Sequence, residues 1–249
     1  MSVRPLRRRV KMSLWARLRM FWVFILAGLI LAAVVGYVVV TRPEFRVRAI
    51  TVSGNHLVDR RDVIAAAAIP FDANVWTLDT HAIAQRIEAI PFVSTAHIHR
   101  HLLADVELAI TERNAAACIA APDVTVTIDA QRRVLAATCL SPDLPRFDLT
   151  LESRPKPGDF VDDGEVGRAQ RDLGIFEAAG FPIRTIGFDR FGSLDATTAT
   201  GLRLRCGDDA DLASKVRLIE PILEATKKRL QRVEAIDLRA PATPVVLYR

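Results

Sequence analysis

Hydrophobic positions along this 249-residue chain fall into three regimes: one unbroken apolar run, a compact succession of helical and alternating stripes, and a longer β-rich stretch. The run is Phe21 to Val40, FWVFILAGLILAAVVGYVVV, twenty residues without a charge. As a helix rising about 1.5 Å per residue it spans about 30 Å, the thickness of a bilayer core. This predicts a transmembrane helix over 21–41. A cleaved signal peptide would carry an apolar region of roughly 7–15 residues ending in a small-x-small site, whereas this run exits through Thr41-Arg42-Pro43. Within it Gly28, Ala32 and Gly36 recur every four residues and share one face, a spacing that lets a neighbouring helix approach closely.

From residue 45 to 113 the pattern reads strand, helix, helix, strand, strand. Arg46 to Ser53 alternates, with Val47, Ala49 and Thr51 on one face and Ile50 and Val52 on the other, and Gly54-Asn55 ends it in a turn. Asp59 reads as the N-cap of a helix over Arg60–Ala68 that stops at Pro70. Thr77 or Asp79 caps a second, whose Ile83, Ile87 and Ile90 fall at i, i+4, i+7 before Pro91. Val93–Arg100 and Val106–Thr111 alternate as a strand pair, with Val106, Leu108 and Ile110 pointing one way. The expectation is a three-stranded sheet covered on one face by two helices.

Residues 114–249 turn β-rich. Val124 to Ala137 predicts two strands joined at Asp129-Ala130-Gln131, and a proline-rich connection follows from Ser141 to Gly158. Glu165–Ala179 has Val166, Ala169, Leu173 and Phe176 at helical spacing and stops at Gly180. Strands are expected at Ile186–Phe191, Gly201–Cys206, Ala235–Arg239 and Val245–Tyr248. Before the last two, Leu212, Val216, Ile219, Leu223, Thr226 and Leu230 form one helical stripe that Pro221 should kink or break. The fold class is therefore α+β: a single N-terminal transmembrane helix, a β-α-α-β-β domain, and a mixed β-rich domain with flanking helices.

Charge changes the picture at the N-terminus. The chain carries +5 overall, but Arg4, Arg7, Arg8, Arg9, Lys11, Arg17, Arg19 and Arg42 all precede Pro43 with no acidic residue among them, so 5 less 8 leaves −3 for the remainder. The basicity belongs to a tail over 1–20, which argues against a nucleic-acid-binding face on the folded part. A Lys or Arg costs about 2.5–3.5 kcal/mol at the membrane centre and basic flanks stay cytoplasmic, so the tail is expected inside and Thr41 onward outside. The three cysteines, Cys118, Cys139 and Cys206, then face an oxidising compartment. Cys118 and Cys139 flank the expected hairpin and could be bridged, although an odd count gives no disulfide framework.

Candidate chemistry is sparse. Gly54-Asn55 is no GxGxxG loop, and no GxSxG, HExxH or CxxC occurs. Asp162-Asp163 and Asp208-Asp209 are adjacent pairs in loops whose side chains point apart, as in ordinary solvated turns. His97, His99 and His101 share one face of a strand, where an HxH pair with Asp105 or Glu107 could ligate zinc. That same face is the polar side of the strand, so an exposed surface is the expectation. No cofactor, small-molecule substrate or catalytic group is implied, and a membrane-anchored hydrolase finds no support.

The order of features resembles a known family. A basic tail and one anchor precede FRVRAITVSGNHLV (45–58), then PFVSTAHIHR (91–100) and a strand ending Thr111-Glu112-Arg113. This is similar to the polypeptide-transport-associated (POTRA) domain of the FtsQ/DivIB family of bacterial cell-division proteins. ERNAAACI (112–119) resembles the E-R-x-P-x-A stretch after that domain, with Ala115 in place of proline. TVTIDAQRRVL (125–135) resembles its I-D-x-x-G hairpin, with Arg132 where glycine is usual. KPGDF (156–160) and Ile236-Asp237-Leu238-Arg239 match its proline–glycine turn and its C-terminal I-D-L-R strand; the chain departs at Leu102-Leu103, where a Trp-Pro turn is frequent.

The resemblance implies a non-enzymatic scaffold in the bacterial inner membrane, enriched at the division septum. In the family the POTRA domain and anchor contribute to recruitment, and the β domain accepts a strand from FtsB, in complex with FtsL, at its C-terminal edge. Carried to this chain, partner contacts are expected at Asp237, Leu238, Arg239, Ala240, Pro241, Ala242, Thr243 and Val245. Pro241 and Pro244 lie near the final strand, and proline donates nothing to a ladder. Outer-membrane assembly and secretion components also carry POTRA modules, but no barrel of alternating ten-residue strands follows here.

Overall fold

The computed structural model describes residues 14–101, 104–151, 153–227 and 232–249. The basic tail before Leu14, the Leu102-Leu103 turn and Leu230 of the expected stripe lie outside the described residues.

Helix α1 (Leu14–Thr41) begins well before the apolar run and contains one span, Arg19–Val39, apolar and long enough to cross a membrane. None of that span is buried against the rest of the described chain, which suits a hydrocarbon surrounding. A short 3-10 turn over Pro43–Phe45 leads into β1 (Ala49–Ser53). Next come α2 (Arg60–Ala67), α3 (Thr80–Glu88), β2 (Val93–Arg100) and β3 (Asp105–Glu112). The three strands pair in the order β1-β3-β2, with β1 parallel and β2 antiparallel to the central β3.

Local chemistry sets these boundaries. The Asp59 side chain accepts the Arg61 N–H at 2.8 Å, and that of Asp79 accepts the Ala82 N–H at 3.0 Å, each supplying an orphan donor of a first turn. Asp79, not Thr77, is thus the cap. Val63, Ala67, Ile83 and Ile87 press against Val106, Leu108 and Ile110 of the sheet. One expectation fails: Val47 sits in the same core as Ile50 and Val52 instead of opposite them. The strand starts only at Ala49, and Val47 lies on an extended segment whose N–H donates to Ala73 O, so the period of two does not run through it.

The second sheet has nine strands. β4 (Ala115–Ala121), β5 (Val124–Asp129), β6 (Val134–Ala136) and β7 (Arg146–Asp148) precede α4 (Gly164–Ala178). Then follow β8 (Ile183–Phe188), β9 (Leu194–Thr198), β10 (Arg203–Gly207), α5 (Leu212–Arg217), α6 (Ile219–Thr226), β11 (Val233–Asp237) and β12 (Val245–Tyr248). Their spatial order is β12-β11-β10-β9-β8-β7-β4-β5-β6. One row of directly paired residues, Val246, Ile236, Leu204, Ala196, Ile186, Phe147, Ile119 and Val126, crosses eight strands, and from Ile236 inward all of it belongs to the core under the helices.

Several elements depart from the sequence expectation. β7 lies inside the proline-rich connection, and β9 is an additional strand between the two expected ones. The expected Ile186–Phe191 strand begins and ends three residues earlier, because its ladder with β9 runs from Ile183 to Phe188. The long stripe breaks at Leu218, three residues ahead of Pro221, into α5 and α6. Cys118 and Cys139 are joined in a disulfide, with Cα atoms 5.5 Å apart, while Cys206 is buried and burial pushes its thiol up to about 12.

The two sheets meet through arginines. Arg113 donates to the Asp129 carboxylate at 2.6 Å and to the Val93 carbonyl at 3.0 Å, in a pair almost wholly removed from solvent. Buried Arg133 donates through Nη2 to the carbonyls of Glu88 and Ala89 at 2.8 and 3.2 Å, at the C-terminal end of α3 where the helix leaves acceptors unsatisfied. The Glu112 carboxylate meanwhile accepts the N–H groups of His56, Leu57 and Val58 at 2.8 to 2.9 Å. Partial burial alone would raise its pKa, and these three donors outweigh that and hold it below the usual value.

Candidate partner-binding edge

A sheet can recruit a foreign strand only where its last strand has an unpaired side. The nine-stranded sheet ends at β6 and at β12, and the two ends differ. Beside β6, Val134 donates to Asp159 O and accepts from Gly158 N–H, both at 2.8 Å, and Arg133 bridges Phe160. The KPGDF turn therefore lies along that edge and covers it. Beside β12, no described strand or bridge pairs on the side away from β11. Such a row of main-chain donors and acceptors is what strand addition uses.

The side chains of β12 alternate. Val245 and Leu247 are exposed, 55% and 44%, on the face away from the helices, while Val246 and Tyr248 are half-buried. Pro241 and Pro244 both precede β12, in a loop turned by Thr243 N–H donating to Ala240 O at 3.0 Å. No proline thus interrupts the edge itself. Ala240, Pro241, Ala242 and Thr243 are exposed beside it.

The I-D-L-R segment is placed differently from the expected contact strand. Its ladder residues end at Asp237, and β11 lies one strand in from the edge. Leu238 is fully buried in the core, its N–H donating to Arg205 O at 2.8 Å, so its side chain packs inside the sheet. Asp237 is held below the usual carboxylate range first by the Arg239 side chain, whose Nη2 lies 2.6 Å away, and their pair closes the strand end. Of the expected contacts, the structure brings 240–243 and Val245 to the surface at the edge and withdraws Leu238.

The remaining sequence candidates resolve as scaffolding. Asp163 caps α4 through Glu165 N–H at 2.7 Å, Asp208 receives buried Lys215 Nζ at 2.8 Å, and Asp209 pairs with Arg168 at 3.1 Å. His97, His99 and His101 are exposed, and Glu107 is occupied by Ser53 Oγ at 2.8 Å and His101 Nε2 at 3.5 Å. Among the described residues no group of three or more potential metal ligands converges. Gly28, Ala32 and Gly36 lie along exposed α1, with open space at both glycines.

Comparison with known proteins now bears on this geometry. The FtsQ-type POTRA domain family matches residues 45–113. A cell division protein FtsQ of Streptomyces griseus is 28% identical over 206 residues, covering 81% of this chain and 96% of its own length. Its counterpart in Streptomyces venezuelae is 28% identical over 203 residues, covering 80% and 73%. That of Syntrophotalea carbinolica is 25% identical over 243 residues, covering 94% and 84%. The chain is thus similar to FtsQ cell division proteins over about four-fifths of its length, and its residues 45–113 match the FtsQ-type POTRA domain. It is a cell-division protein with a POTRA domain, and its one apolar helix suits a single-pass membrane protein.

Two signals for this sheet, one for the interior strand β7 and one for the edge strand β12, were present in the sequence but weak. The alternation of Phe147, Leu149 and Leu151 marks β7, which proline on both sides obscures. β12 reads as a short terminal strand, and its edge position depends on pairings that local pattern does not contain.

Proposed function

We propose that this chain is a non-enzymatic, single-pass scaffold of the bacterial divisome, with residues 21–41 as anchor, 45–113 as POTRA domain and 114–249 as β domain. Its basic tail stays in the cytoplasm, and the bulk of the chain lies on the far side of the membrane, concentrated at the septum. The Cys118–Cys139 disulfide supports that side, since such bonds persist in oxidising compartments. The POTRA domain and the Gly28, Ala32, Gly36 face of α1 meet other division proteins, and the β domain takes a strand from an FtsB-like partner bound to FtsL.

One observation carries the reading: no described strand pairs with β12 on the side away from β11, whereas the outer side of β6 is covered by the KPGDF turn. An incoming strand would extend the sheet by main-chain hydrogen bonds, and Val245, Leu247 and the 240–243 loop would select it. The test is co-purification of the full chain with an FtsB/FtsL pair. Because Val245 and Leu247 are exposed, the double variant Val245→Glu/Leu247→Glu should stay folded and lose the pair. A folded double variant that retains the pair at wild-type level overturns the edge assignment. Leu238→Glu is no substitute, because a charge at that buried position would unfold the domain.

A further inference from the structure

The loop joining α2 to α3 carries two large apolar side chains that the folded core does not use. Phe71 is 81% exposed and Trp76 41%, although Val75 between them is fully buried. The loop is not loose. Val75 N–H donates to Phe45 O at 2.8 Å and Val47 N–H to Ala73 O at 3.0 Å, so it is strapped to the segment that leaves α1. Asn74, only 7% exposed, fixes the turn by accepting Trp76 N–H at 2.8 Å.

Asn74 also reaches the membrane helix. Its Nδ2 donates to Val39 O at 2.8 Å, and Val39 is the last residue of the span that can cross a bilayer. That carbonyl belongs to the final turn of α1, where helices leave acceptors unpaired, and near hydrocarbon such a group is costly. The hydrogen bond therefore places the loop at the level where the apolar core of the bilayer ends. Consecutive Cα atoms are about 3.8 Å apart, so Trp76 and Phe71 lie within about 8 to 12 Å of Asn74 along the chain. A headgroup layer about 5–8 Å deep on each side fits that reach. Around them Arg42, Arg46 and Arg48 are exposed, and Arg100 Nη1 donates to Trp76 O at 3.2 Å, against the acids Glu44 and Asp72.

We propose that Phe71 and Trp76 insert into the headgroup layer of the same bilayer that α1 spans, seating the POTRA domain on the membrane surface. Tryptophan suits that depth because its ring is apolar and its indole N–H still finds water or phosphate. The four arginines supply charge for lipid phosphates. The occupant is lipid because the loop is continuous with a membrane helix through Asn74. The proposal rests on α1 crossing the membrane, and not on which side the domain occupies.

The chain has three tryptophans, Trp15, Trp22 and Trp76, so fluorescence can separate them. Two full-length variants are reconstituted in phosphatidylethanolamine/phosphatidylglycerol vesicles containing acyl chains brominated near the headgroup. Trp15→Phe/Trp22→Phe leaves Trp76 as reporter, and Trp15→Phe/Trp76→Phe leaves Trp22. The expected result is blue-shifted Trp76 emission and its loss to bromine, with both effects reduced by Asn74→Ala. Quenched Trp22 with unquenched, water-like Trp76 overturns the proposal while α1 stands, and leaves Phe71 and Trp76 to a protein partner. Unquenched emission from both reporters overturns the membrane-spanning reading together with the proposal.

Discussion

At the scale of single residues, two positions show how tertiary surroundings alter what a side chain does. Arg132 takes φ +67 at the turn after β5, the left-handed region that costs a non-glycine residue roughly 1–2 kcal/mol, which explains why glycine is usual there. Asp172, on the buried face of α4, has an Oδ2 with no hydrogen-bond partner in the described structure. Burial first, and the nearby Asp209 carboxylate second, raise its pKa to about 6, with Arg168 and Arg171 opposing. Its unfolded value is about 3.9. The folded state thus holds this proton more tightly, so the stability it contributes is present below about pH 4 and is lost as pH rises through about 6. Asp172→Asn should raise stability by on the order of 2 kcal/mol at pH 8 and by little at pH 4. Thermal unfolding of the full chain in detergent at the two pH values reads this, and an equal effect at both would refute it.

At the scale of elements, caps and turns were the most legible features. Asp59 and Asp79 cap their helices as their positions before helical stripes imply, since a cap is a contact within three residues, whereas Asp163, expected in a solvated turn, turns out to cap α4. Gly54 is the sharpest turn residue. It takes φ +81, and a Cβ built there would lie 2.0 Å from the Ile110 carbonyl oxygen of β3, so both conformation and close approach demand glycine. Gly54→Ala should destabilise the POTRA domain by about 2 kcal/mol or more, seen as a lower urea midpoint with an unchanged slope. A wild-type midpoint would show that the β1–β3 approach is softer than this. β7 and β9 were not legible. They are short strands whose burial comes from neighbours on both sides, and β7 pairs with β4 and β8, distant in sequence.

At the scale of the whole molecule, the two sheets are coupled by Arg113–Asp129 and by Arg133 on the end of α3. Asp129 is buried, so removing Arg113 alone leaves a carboxylate without its charge partner, at a cost of about 3–5 kcal/mol. Arg113→Ala should therefore cost more in the wild-type background than in Asp129→Asn, a coupling that a double-mutant cycle on urea unfolding would measure. Additive effects would reduce the joint to two independent surfaces. The sequence alone determined an apolar helix long enough to cross a membrane, the β-α-α-β-β order, the caps of α2 and α3 and the collinear family pattern, because each is written in spacing within a few residues or in the order of segments. Only the tertiary structure decided that β12 and not the I-D-L-R segment forms the sheet edge, that Leu238 is core, that Cys118 meets Cys139, and that Asn74 reaches Val39. Those facts are pairings between segments distant along the chain, and hydrophobic periodicity says which side of an element is buried without saying which neighbour buries it.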